Sequence, residues 1–247
     1  MINNLTADFL KLKKTAFFLI HLLVPLLGVF IFFSYQLMAQ HDGNQLMINF
    51  CQVLSLVYPI VASWLTNIII NQEIEAGGGF FLLSTVSRSR ALLSKLFYLF
   101  ASGLFACFIA IVGYHLLNRL FVMNYHLSFL QVGHLVLLVF GCSIFQYFFH
   151  TCLCLKFNPN VNLGMATIEF LIGALMLTGL GELMWIAFPS AWGMRLIRFL
   201  GNNFSGDALL KFISFPIILL IIAVITLLMG AILFVLMNRW EGRTNEE

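Results

Sequence analysis

The sequence predicts an all-α, polytopic membrane protein: six transmembrane helices, an N-terminal interfacial helix, and both termini in the cytoplasm. Three observations predict it. Only 9% of the 247 residues are charged, against 61% hydrophobic, whereas a soluble domain carries about 25% charge. So few charges cannot cover a water-facing surface, so most of this chain is solvated by lipid. Six apolar runs approach or exceed the roughly 20 residues that a membrane-spanning helix needs. Lysine and arginine also divide unevenly between alternate connections, which sets the orientation.

The runs are 17–38, 50–70, 96–117, 129–149, 163–183 and 212–237. Each is continuously apolar, without the period-two alternation of a barrel strand, and backbone in hydrocarbon has to bond within its own segment. Residues 1–16 precede the first run. Ile2, Leu5, Phe9, Leu12 and Ala16 recur at spacings of three and four, opposite Asn4, Asp8, Lys11 and Thr15. That is an amphipathic helix lying at the interface. The run at 17–38 is longer than a signal-peptide core and has no small-residue cleavage site after it, so it is read as a retained span.

With the N-terminus inside, Lys11, Lys13, Lys14, Arg88, Arg90, Lys95, Lys156, Arg239 and Arg243 are cytoplasmic. Arg119, Arg195, Arg198 and Lys211 are external. Nine against four selects this orientation. One membrane domain then occupies 1–247, with two long connections: 71–95 inside and 184–211 outside. Pro25 and Pro216 are expected to kink their helices.

Catalytic machinery is not expected. There is no glycine-rich phosphate loop with a Lys and hydroxyl pair, no His-Glu-x-x-His and no Gly-x-Ser-x-Gly. Cys152 and Cys154 lack a second ligand cluster, so no metal site is expected. His21, His115, His134 and His150 fall at different depths, and ordinary packing is assigned to each.

Two connections and one buried acid carry the functional expectations. In the inner connection, Glu73 and Glu75 follow the second run. Gly77, Gly78 and Gly79 then precede a short apolar patch of Phe80, Phe81, Leu82 and Leu83, a hydroxyl cluster and Arg88. Such a segment either docks in a groove of another protein or is a solvated loop. The outer connection is too apolar for a solvated loop. It carries Trp185, Phe188, Trp192 and Phe204, and Arg195 and Arg198 share one helical face. One or two short helices on or in the outer leaflet are expected, receiving an amphipathic peptide or capping the assembly. Glu169 lies inside the fifth run, where a carboxylate is costly and faces a bundle interior or a cavity.

These features resemble the permeases of ATP-binding-cassette type-2 exporters. The likeness rests on the basic stretch Phe9-Leu10-Lys11-Leu12-Lys13-Lys14, on Glu73, Glu75 and Gly77 after the second run, and on Leu82-Leu83-Ser84, Ser87-Arg88 and Lys95 leading into the third. Chain length and the segment Phe188-Pro189-Ser190-Ala191-Trp192-Gly193-Met194-Arg195 are similar to lantibiotic-immunity permease subunits.

The resemblance implies a multi-pass protein of a bacterial plasma membrane that pairs with itself or with a paralogous permease. It implies separate ATP-binding-cassette ATPase subunits that hold ATP and Mg, no cofactor in this chain and no nucleic acid. The inner connection would be the coupling element, through Glu73, Glu75, Phe80, Phe81, Leu82, Leu83 and Arg88. An antimicrobial peptide such as a lantibiotic would be expelled, along a path that the residues place near Glu169, Trp185, Trp192, Arg195 and Arg198. The alternative is a stand-alone secondary transporter or channel, for which Glu169 is the main embedded charge.

Overall fold

The computed structural model describes residues 2–39, 42–83, 87–123, 125–201 and 214–242. Among these residues all regular structure is helical: α1 Ile2–Leu12, α2 Phe17–Ala39, α3 Gly43–Glu75, α4 Phe80–Leu83, α5 Arg88–Phe121, α6 Phe129–Lys156, α7 Pro159–Met176, α8 Pro189–Gly201 and α9 Phe215–Arg239. Two 3-10 turns, Gly179–Gly181 and Trp185–Ala187, join α7 to α8.

The ends of these helices follow local chemistry. Asp42, Ser87, Ser128 and Asn158 each accept from backbone N–H groups of the first turn of α3, α5, α6 and α7. These side chains satisfy donors that have no partner inside the helix. Ser128 and Gln131 form a reciprocal capping box. Pro159 and Pro216 sit in the first turns of α7 and α9, where a missing N–H costs little. Pro216 therefore starts its helix and does not kink it, as the sequence had suggested.

Among the described residues five helices are long and apolar enough to cross a membrane: α2, α3, α5, α6 and α9. Their outward faces are apolar. Leu26, Leu27, Phe30 and Ile31 of α2 and Leu220, Leu227, Leu228 and Ile232 of α9 are all exposed. A continuous band of exposed aliphatic and aromatic side chains is a lipid-facing surface. The chain is a multi-pass helical membrane protein.

The sixth apolar run has a different form. α7 has 18 residues, about 27 Å at 1.5 Å per residue. It includes Asn160, Asn162 and Glu169, and it ends at Met176. Residues 177–183 leave the helix, and the chain folds back as α8.

The α3 helix is central, packing on α6, α7 and α8, while α2 packs on α5, and α9 on α6 and α5. With 33 and 34 residues, α3 and α5 are each about 50 Å long. A bilayer with its headgroups is about 40–45 Å thick, so each helix is longer than the bilayer is thick. Three apolar cores follow: one around Ile70, Leu96 and Trp240 at the α4 end, one around Phe50 and Tyr114, and one around Trp185 and Trp192.

Candidate functional site

The α4 end joins residues that are far apart in sequence. Glu73 and Glu75 are two positions apart on α3, hence about 200° apart around the helix axis. One must turn inward. Glu73 is 2% exposed, while Glu75 is exposed. Lys95 Nζ lies 2.7 Å from Glu73 Oε1 and 3.0 Å from Asp8 Oδ1. Lys11 Nζ reaches both oxygens of Glu73, at 2.8 and 3.0 Å. Ser94 Oγ donates to Asp8 Oδ2 at 2.6 Å. Two carboxylates and two ammonium groups thus form a neutral cluster that ties α1, α3 and α5 together. In such a cluster each charge is paired and bonded, as burial requires.

The cluster turns Glu73, expected to meet the ATPase, into the protein as an internal tie. On α1, Asp8 and Leu12 are buried, while Phe9 and Leu10 are exposed. Tyr98 donates its hydroxyl to Leu5 O at 2.9 Å and holds α1 on α5.

The inner connection is mostly helical, and its turn is built from glycine. Gly77, Gly78 and Gly79 all have positive φ, 155°, 61° and 83°, a region that side chains disfavour. A side chain at Gly79 would also enter the ring of Trp240. This turn folds α4 back so that Leu82 is 3% exposed and Phe80 is 64% exposed. Phe81 lies in α4 by its backbone. The hydroxyls Ser84 and Thr85 lie outside the described residues.

Arg88 braces the end of α9. Its Nη1 donates to Asn238 O at 3.0 Å and Trp240 O at 2.8 Å, at the end of α9. Trp240 Nε1 donates to Leu155 O at 2.7 Å, at the end of α6. A rigid platform made of the ends of α3, α5, α6 and α9 therefore presents Glu75 and Phe80 outward.

A second polar constellation lies between α3, α6 and α7. Asn162 Nδ2 reaches Ser63 O (3.2 Å), Asn67 Oδ1 (3.0 Å) and Cys154 Sγ (3.0 Å). Its Oδ1 lies 2.7 Å from His150 Nδ1. His150 Nε2 lies 3.0 Å from Glu169 Oε2. With its amide nitrogen toward the carboxylate, Gln146 donates to Glu169 at 3.1 and 3.3 Å. Glu169 is thus paired between α6 and α7, and His150, assigned to ordinary packing, is its partner. The sequence turned Glu169 toward a bundle interior or a cavity but did not name His150 as its partner.

At the opposite end, the expected substrate-path residues of the outer connection are held by packing and by backbone bonds. Trp185 and Trp192 are fully buried and Arg195 is 2% exposed. Arg195 Nε donates to Met176 O at 2.7 Å and its Nη2 to Thr178 O at 2.9 Å, while Arg198 Nη1 reaches Leu177 O at 3.4 Å. The two arginines do share a face, and that face caps the carboxyl end of α7. Trp192 Nε1 donates to Ile186 O at 2.8 Å. In this outer connection α8 packs against α3, α6 and α7. Phe204 and Lys211 lie outside the described residues. Beside this end, burial pushes the Tyr125 phenol well above its usual range, keeping an O–H for the 2.7 Å contact with His115 Nδ1.

Among the described residues no group of His, Cys, Asp and Glu could hold a metal ion. Comparison with family models, with curated proteins and with solved structures gave no match.

Proposed function

We propose that this chain is the membrane-spanning permease subunit of an ATP-driven exporter in a bacterial plasma membrane. Separate ATPase subunits hold ATP and Mg, and a second permease, identical or paralogous, completes the pathway. In this reading α7 is a sixth, shortened span, α7–α8 is a re-entrant hairpin at the outer surface, and both termini are cytoplasmic. The cargo is an amphipathic antimicrobial peptide of the lantibiotic kind.

One observation supports the reading most: the α3–α4–α5 projection, braced by Arg88 and Trp240, with Phe80 exposed beside Glu75. A large aromatic side chain on a rigid platform outside the lipid is an anchor for another protein. The buried cluster of Asp8, Lys11, Glu73 and Lys95 supports the same reading, because it would carry a push on α4 into α1, α3 and α5. The permease then supplies differential binding of cargo between two conformations, and the ATPase supplies the bias. Coupling contacts in this proposal are Glu75, Phe80 and Phe81, with Glu73, Leu82, Leu83 and Arg88 holding them in place.

The test is affinity purification of the tagged chain from its native membrane in mild detergent, with mass spectrometry of what accompanies it. Recovery of a soluble ATPase is expected. Recovery of this chain alone, stable and homogeneous, would overturn the proposal. The stand-alone secondary transporter is the second reading, and the Glu169–His150 pair between α6 and α7 is the observation that favours it.

A further inference from the structure

Helix α9 has two distinct faces along its second half. Thr226, Gly230, Leu233 and Met237 are buried. Leu228, Ile232, Val235 and Arg239 recur at spacings of four, three and four, and all are exposed. At about 100° per residue these four fall within about 60° of one another, on the side opposite the buried set. They line a groove of about 680 Å³ that opens away from the bundle. From Leu228 to Arg239 the helix rises about 16 Å, and half of a bilayer's hydrocarbon core is about 15 Å. The groove therefore runs the depth of one leaflet.

Its mouth is charged. Trp240 Nε1 donates to Leu155 O at 2.7 Å, which holds the end of α9 against the end of α6. Lys156 follows Leu155 and Arg239 precedes Trp240, so this one bond brings two cations to the same mouth. Both are exposed and both line the groove, together with Trp240 and Glu241. Tryptophan favours the headgroup level. Among the described residues, Lys156, Arg239 and Glu241 take part in no ion pair. Two positive charges and one negative leave the mouth one net positive charge.

We propose that this groove holds one anionic phospholipid of the leaflet at the α4 end. Its phosphate lies between Lys156 and Arg239, and one acyl chain lies along Leu228, Ile232 and Val235. A lipid with one net negative charge neutralises the mouth, whereas a zwitterionic lipid leaves it uncompensated. Basic recesses beside membrane helices recognise anionic headgroups in this way. The lipid rests on the α6–α9 junction that Arg88 also holds, through Trp240 O.

The test is native mass spectrometry of the purified full chain in detergent, with phosphatidylglycerol and phosphatidylethanolamine of the same acyl chains supplied in equal amounts. The wild type should retain one phosphatidylglycerol in preference to phosphatidylethanolamine. K156Q/R239Q should weaken that retention by about fivefold for each cation lost. E241Q should strengthen it, because it removes the one charge that opposes a phosphate. V235W fills the apolar stripe, leaves every charge in place and should weaken it. R90Q removes an exposed cation at the same end but outside the groove, and should leave retention unchanged. Equal retention of the two lipids by the wild type would overturn the site, and so would equal losses in K156Q/R239Q and R90Q. All the altered side chains are exposed, so the variants keep the fold on which the comparison rests. No outcome depends on whether an ATPase binds α4.

Discussion

Replacing Lys95 by Met tests the buried cluster at the α4 end. Lys95 is 4% exposed in its side chain and touches both Glu73 and Asp8. Methionine keeps the length and fits an apolar site, but it leaves two carboxylates, at 3% and 10% side-chain exposure, sharing the single charge of Lys11. Removing one partner from a buried pair costs about 3–5 kcal/mol. For a chain of this size that is a fall in Tm of about 6–20 °C. Lys11 is the internal control: its side chain is 39% exposed, so K11M should cost about 1 kcal/mol or less. The triple change D8N/E73Q/K95M removes all three buried charges and should recover most of the loss. The buried cysteines Cys51, Cys107, Cys152 and Cys154 provide the assay, since a thiol-reactive dye reports their exposure on heating. A K95M protein as stable as K11M would refute the cluster as an internal tie.

Three further predictions follow from the same geometry. G79A should lower Tm by several degrees, since strain of about 1–3 kcal/mol arises at positive φ and the new methyl meets the Trp240 ring; an unchanged melting curve would contradict the glycine turn. W192A should destabilise the protein by about 3–5 kcal/mol, measured by denaturant unfolding, because Trp192 is fully buried; cargo response lost at full stability would instead return Trp192 to a substrate path. F80E combined with E75A should abolish ATPase co-purification while changing stability by no more than about 0.5 kcal/mol; retained ATPase would remove α4 as the docking element.

The helices of this protein are legible because hydropathy is a one-dimensional signal. Lipid selects runs of apolar residues, and those runs can be read along 17–38 or 129–149 without knowing any neighbour. Helix ends are less legible. The apolar run stops at residue 70, yet α3 continues to Glu75, because Glu73 is neutralised by lysines 62 and 22 positions away. The run at 163–183 looked like an ordinary span, and its last third is a turn that Arg195 and Arg198 close from α8. What decides that shape is a set of three backbone acceptors, Met176 O, Leu177 O and Thr178 O, to which hydropathy is blind.

Site residues divide in the same way. Glu75, Phe80 and Phe81 could be placed on an inner connection from the sequence, and the glycine triplet marked its turn. That Glu73, Arg88 and Leu82 face inward depends on α1 and α9 packing there, and no local pattern encodes it. Aromatic residues in the outer connection pointed to a packing role or to a binding surface, and α8 packs against α3, α6 and α7, burying Trp185 and Trp192. Glu169 was conspicuous as a carboxylate in an apolar run. Its partner was hidden because His150 lies on a different helix, where a lone histidine carries no directional signal.

The most direct test of the exporter account places a photo-activated crosslinking side chain at position 80 in the full-length protein, in its native membrane, with a second variant carrying it at position 183 as control. Irradiation should join position 80 to a nucleotide-hydrolysing subunit and should leave position 183 without that adduct. Adducts from position 80 only to lipid or to this chain itself would contradict the claim that α4 receives the ATPase.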